Sequence, residues 1–136
     1  MKKRYKVLIA ISVFLVICII GASILFSRID ANLETLSNLV ITDVDLSEAQ
    51  NGEFIGSYSS FPVSAEVKVT IYENQIQKIE ILKHDNGQGE GAESIIDVVI
   101  ESQSLEVDAI SQATYSSKVI LTAIRNALLE AGAKPH

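Results

Sequence analysis

The sequence predicts an α+β protein, with an N-terminal single transmembrane helix followed by one small domain of antiparallel sheet and two helices. Three observations predict it. Residues 7–26, VLIAISVFLVICIIGASILF, carry no charge. Residues 63–73 alternate apolar and polar side chains, which is the period of a half-buried strand. Residues 115–131 repeat apolar side chains at helical spacing. Strands grouped ahead of helices indicate α+β rather than a parallel α/β sheet.

The elements follow in order. MKKRYK, residues 1–6, is a basic tail. Positive residues stay cytoplasmic, so the chain is expected to run N-in and C-out. The twenty residues 7–26 would rise about 30 Å as a helix, enough to cross a bilayer. A cleaved signal peptide usually has a shorter apolar core of about 7–15 residues. Gly21-Ala22-Ser23 offers a small-residue site, but Ile24-Leu25-Phe26 continues the apolar run beyond it, which favours an uncleaved anchor. Cys18, the one cysteine, follows Ile17 rather than the small residue of a lipobox. It reads as a membrane residue, and the rest of the chain has no thiol for a disulfide or a metal.

Residues 27–42 read as a stalk, with Ile29, Leu33, Leu36 and Val40 at helical spacing. The domain is expected over 43–131. It begins with a turn at Asn51-Gly52 and a short strand over Phe54–Tyr58. The strand over Val63–Glu73, the turn Glu73-Asn74-Gln75 and the returning strand Ile76–Leu82 form a hairpin. HDNGQGEG, residues 84–91, reads as a glycine-rich loop. A helix over Ala92–Ser102, an extended segment over Leu105–Ile110 and a helix over Tyr115–Ala131 complete it, with Gly132 as the natural stop.

Beyond residue 26 there are seventeen acidic residues against seven of the eleven basic ones, a net charge near −10. That excludes a general nucleic-acid binder and sets the domain against anionic headgroups. No metal-ligand spacing or pair of catalytic carboxylates stands out.

One segment carries chemistry. DAISQATYSS, residues 108–117, places Ser111, Thr114, Tyr115, Ser116 and Ser117 at the mouth of the last helix. Two readings stand side by side. Ser and Thr are preferred helix caps, because their oxygens accept from unpaired backbone N–H groups. A helix N-terminus also attracts phosphate, and hydroxyls add hydrogen bonds to it.

The segment resembles the signature of the FMN-binding domain family, D-x-[ST]-G-A-[ST]-x-[ST] with variable spacing after the Asp. The matching residues are Asp108, Ser111, Ala113, Thr114, Ser116 and Ser117. NGEFIGSY, the hairpin around VKVTIYENQIQKIEIL, the loop HDNGQGEGAESIIDVVIESQS and the final helix are similar to the small exported form of the domain, so the resemblance spans about residues 43–131. The family includes the flavin-carrying G/C-type subunits of Rnf and sodium-pumping NADH:quinone reductase complexes. The resemblance implies FMN on Thr114 through a phosphoester bond, made with Mg²⁺ by an ApbE-type flavin transferase that uses FAD as donor and recognises Asp108. It also implies that the loop of His84, Gly87 and Gly89 lies against the flavin. The chain departs from the pattern at Gln112, where the family has Gly. Gln112 must fit an ordinary φ or bear strain of about 1–3 kcal/mol.

Thr is a weak nucleophile without a base, and the motif has only Asp108 six residues away. Thr114 is therefore expected to be a substrate of another enzyme, and no residue of the chain is read as catalytic. Tyr58, Tyr72 and Tyr115 are candidates to stack on the ring, although a tyrosine in such a place is more often a half-buried strand or helix residue. Lys118, one turn into the helix, suits either the phosphate or solvent. The expected function is a membrane-anchored, extracytoplasmic electron carrier rather than a complete enzyme. Its donor would be a membrane quinol or a flavoprotein, and its acceptor an extracellular reductase or a soluble molecule. The alternative is an accessory or binding module of the same fold that holds FMN non-covalently or not at all.

Overall fold

The computed structural model describes residues 2–85 and 90–136. Helix α1 spans Lys2–Asn38. The chain divides into two units, Met1–Asn32 and Leu33–His136. In the first, the apolar side chains from Val7 to Phe26 are largely exposed along a helix long and apolar enough to cross a membrane.

The second unit holds β1 (Val44–Asp45), β2 (Gly52–Ser60), β3 (Val63–Tyr72), β4 (Gln75–Asp85), a 3-10 turn (Glu90–Ser94), α2 (Ile95–Ser102), α3 (Thr114–Glu130) and β5 (Lys134–Pro135). This is the expected α+β arrangement. β2, β3 and β4 form an antiparallel meander, and β1 pairs antiparallel with β5. The alternation of β3 puts Val63, Ala65, Val67, Val69 and Ile71 into the core. α3 covers that face with Val119, Ile120, Ala123, Ile124, Ala127 and Leu128. Leu36, near the end of α1, is fully buried in the same core, so the compact unit takes in the last turn of that helix.

The hairpin turn is tighter than a three-residue one. Glu73 and Asn74 alone connect β3 to β4, with φ of 50° and 61°. Positive φ at both central residues is what a type I′ turn demands, and its twist matches the strands. The Glu73 N–H donates to Asn51 Oδ1 at 2.9 Å, which steadies the turn from outside. β4 is longer than expected and takes in His84 and Asp85 from the expected loop. Two register shifts insert Gln77 and Leu82 as extra residues opposite β3. The first bulge lets Ile76 and Ile79, three apart, both face inward.

Gln103 secures the first of these bulges. It ends α2 in the left-handed region (φ 54°). Its side-chain amide then acts as a strand would: Oε1 accepts from Ile76 N–H at 2.8 Å, and Nε2 donates to Ile76 O at 2.9 Å and Ile100 O at 2.7 Å.

The stretch expected to be extended at 105–110 joins no sheet. Side chains take up its end donors instead. Leu105 N–H donates to Asp43 Oδ1, and Ile110 N–H to Ser117 Oγ. α3 closes as the sequence predicts. Gly132 has φ 92° and donates to Leu129 O, while Ala133 N–H donates to Leu128 O. That pair of bonds is a Schellman motif.

Candidate functional site

The site is set by how α3 lies on the sheet. Gln50 N–H donates to Ala131 O at the end of α3, and Asn126 Nδ2 donates to Ser57 O midway. At Gly56 the strand meets the helix backbone directly: a Cβ there would lie 2.1 Å from Ala123 O and 2.3 Å from Ala127 N. α3 therefore runs antiparallel to β2. Its N-terminus, with Thr114, lies towards the end of the sheet where Tyr58, Ala65 and His84 form one cross-strand row.

The hydroxyls of residues 111–117 divide by burial. Ser111 and Thr114 are exposed, and Tyr115 is 40% exposed, while Ser116 and Ser117 are buried. The residue capping α3 is Ala113, which offers no side-chain oxygen. The capping reading of the hydroxyls is therefore not what α3 uses. The N–H groups of Thr114, Tyr115 and Ser116 open the helix with no side-chain cap, the arrangement that favours an anion. Ser117 Oγ accepts from Ile110 N–H at 3.0 Å and donates to Ala113 O at 2.8 Å, so it pins the motif loop to the helix.

Gln112 resolves the alternative left by the sequence. It has φ 64°, in the left-handed region that glycine adopts without strain. The backbone thus takes the glycine-like conformation although a side chain is present.

Gln112, Thr114 and Tyr115 line one recess of about 380 Å³, and its fourth lining residue is Ser37 in the last turn of α1. Nothing in the sequence signalled Ser37, because only tertiary packing brings it there. Lys118 is not extended into solvent. Its Nζ donates to Ser37 O at 2.6 Å and Leu39 O at 2.7 Å. Asp108 is exposed on the loop ahead of the helix.

His84 is a strand residue, and the reason is the second bulge. Without Leu82 as an extra residue, the alternation from Ile81 would turn Lys83 inward. With it, His84 pairs Ala65 and faces in, with a side chain only 2% exposed. Its Nδ1 lies 3.1 Å from Glu93 Oε1 on the 3-10 turn, which packs against α3. Glu93 was not singled out by the sequence. His84 is at the same end of the sheet as Thr114 but does not line its recess. Gly87 and Gly89 lie outside the described residues. Next to His84, Asp85 Oδ2 accepts from Ser64 Oγ at 2.8 Å and lies 3.3 Å from Lys83 Nζ. The hydroxyl and then the ammonium hold its carboxyl below the ordinary range. Tyr72 is exposed beside the hairpin turn, and Tyr58 is half-buried against the core.

The donor set fits FMN. Neutral N–H groups at the helix start suit a phosphate, Thr114 is an accessible hydroxyl for a phosphoester, and the adjoining recess has the volume of a small-molecule site. Residues 63–129, from the first residue of β3 to one residue short of the end of α3, match the model of the FMN-binding domain. No curated protein matches the chain. Residues 63–129 are thus an FMN-binding domain, and the match supports FMN as its cofactor.

Proposed function

We propose that the chain is a single-pass, N-in membrane protein that displays an FMN domain outside the cytoplasmic membrane and carries electrons through FMN linked to Thr114. The observation that carries this reading is Thr114 itself: an exposed hydroxyl on the first residue of a helix that no side chain caps, inside the family-matched segment.

In the attachment step, Thr114 Oγ1 attacks the FMN-side phosphorus of FAD, held with Mg²⁺ in a flavin transferase. The Thr114–O–P bond forms, the pyrophosphate P–O bond breaks, AMP leaves, and the hydroxyl proton passes to a base of the transferase. This chain supplies the acceptor and its presentation. Asp108, exposed on the loop, is available for the transferase to recognise. Bound FMN supplies one- or two-electron redox chemistry, and the protein supplies position. A membrane quinol or flavoprotein would reduce it, and an extracellular reductase or a soluble acceptor would take the electrons.

The test is the intact mass of the full chain co-expressed with a flavin transferase. A gain of one FMN less one water, mapped to Thr114 and absent from Thr114→Ala, is the expected result. An unmodified mass beside a modified control FMN domain would sink the covalent reading and leave a non-covalent or accessory module. Turnover of an organic substrate by the purified protein alone would overturn the carrier role.

A further inference from the structure

We infer that the last turn of α1 forms one wall of the flavin seat, and that Lys118 is the positioning residue that holds this wall beside Thr114. This rests on the reading of Thr114 as the FMN attachment point.

Three observations converge. Ser37 lines the same recess as Gln112, Thr114 and Tyr115. Thr114 and Lys118 are four residues apart on α3, so both lie on one face of the helix. From that face, Lys118 Nζ donates to Ser37 O and Leu39 O, 2.6 and 2.7 Å away.

Those carbonyls belong to the C-terminal turn of α1 and the residue just past it, where a helix leaves carbonyls without intrahelical partners. A cation is favoured there by the helix dipole as well as by hydrogen bonding. The same turn is fixed from its other side by Leu36, which is fully buried, and Leu39 N–H closes it by donating to Leu36 O at 3.2 Å. The end of α1 is therefore held by a buried leucine and a two-pronged ammonium, and its exposed Ser37 is turned towards the recess.

A flavin joined at Thr114 would extend into this recess. It would meet the chain that leads out of α1 on one side and Tyr115 on the other. The wall comes from outside residues 63–129, so a domain cut at the family-matched boundaries would lack it.

The test uses the sequence's lack of tryptophan. The full chain in mild detergent, flavinylated by a co-expressed transferase, is compared as Ser37→Trp and Thr35→Trp. Thr35 is exposed two residues away and about 200° around the helix. The Ser37→Trp indole would stack near the isoalloxazine and cut flavin emission roughly twofold or more, while Thr35→Trp leaves it close to wild type. Adding Lys118→Met should free the wall, restoring emission and raising quenching by iodide. Adding Lys118→Arg, which keeps the cation, should leave emission low.

Equal emission from the two tryptophan variants, each carrying FMN by mass, would overturn the wall. Strong quenching that survives Lys118→Met would overturn the role of Lys118. An unmodified wild-type mass is a different failure, because it removes the Thr114 reading and this inference with it.

Discussion

One methyl group at Gly56 should be enough to part β2 from α3. The Cβ of Gly56→Ala would lie 2.1 Å from Ala123 O, 2.3 Å from Ala127 N and 2.9 Å from Ala127 Cα. Ordinary contact begins near 3.4 Å, so strand and helix must separate by about 1 Å. A gap of that size forfeits about a quarter to a half of each contact's attraction, and it opens along a helix that buries Val119, Ile120, Ala123, Ile124, Ala127 and Leu128. Overpacking usually costs about 1–3 kcal/mol. Here the obstructing atoms are backbone and cannot rotate away, so we expect about 3–4 kcal/mol. Guanidinium unfolding of the full chain in mild detergent, followed by tyrosine near-UV circular dichroism, would measure it. A loss below about 0.5 kcal/mol would refute the reasoning, since surface changes fall in that range. A second change distinguishes the cause. Ala123→Gly removes no atom that the new methyl meets, so it should not rescue Gly56→Ala, and full rescue would mean that side chains rather than backbone set the spacing.

The remaining predictions concern the tie between α2 and β4, the motif loop and the solvent face. Gln103→Ala leaves the Ile76 amide and carbonyl without their partners and keeps a side chain at positive φ, so it should cost about 2 kcal/mol in the same unfolding assay; Gln103→Asn, one methylene shorter, should not restore it. Gln112→Gly relieves a left-handed residue at about 1–2 kcal/mol but adds unfolded-state freedom of about 0.5–1 kcal/mol, so it should stabilise slightly and should flavinylate at least as fast by mass; slower flavinylation would mean that the Gln112 side chain itself helps. On the outer face, Lys68 and then Lys78 hold the Glu80 carboxyl below its ordinary value, so this small contribution is present at neutral pH and fades as pH falls through the lowered pKa. Lys68 is raised, chiefly by its bond to Glu80, so its share fades only as pH climbs above the ordinary lysine range. Glu80→Gln should flatten both limbs of a pH–stability profile, and unchanged limbs would show that the exposed pair contributes nothing.

The hairpin was legible in the sequence because β3 follows a strict period of two and one of its faces is buried. The last helix was legible for the corresponding reason at helical period, with Gly132 marking its stop. What escaped depended on single insertions or on partners far along the chain. The bulges at Gln77 and Leu82 change which residues of β4 face inward, and no local pattern distinguishes an extra residue from a loop. That is why His84 and Asp85 read as loop but form strand. The segment 105–110 joins no sheet: the Leu105 and Ile110 donors meet Asp43 and Ser117 instead of a neighbouring strand, while Leu105, Val107 and Ile110 pack against the core. For the candidate site, the motif singled out Thr114 and Gln112, but the φ of Gln112, the Ala113 cap and the recruitment of Ser37 all depend on tertiary structure.

The grip of Lys118 on the end of α1 has a consequence for how the domain could keep a flavin. Lys118 is the one basic residue in the first two turns of α3, and its ammonium already serves two carbonyls. A phosphate at the helix mouth would rest on neutral N–H donors, on a domain whose overall charge repels anions. Capture of free FMN by mass action would then weaken whenever the surrounding solution is dilute. A bond made once from an activated donor makes occupancy independent of concentration, and the domain needs no strong affinity of its own to stay loaded.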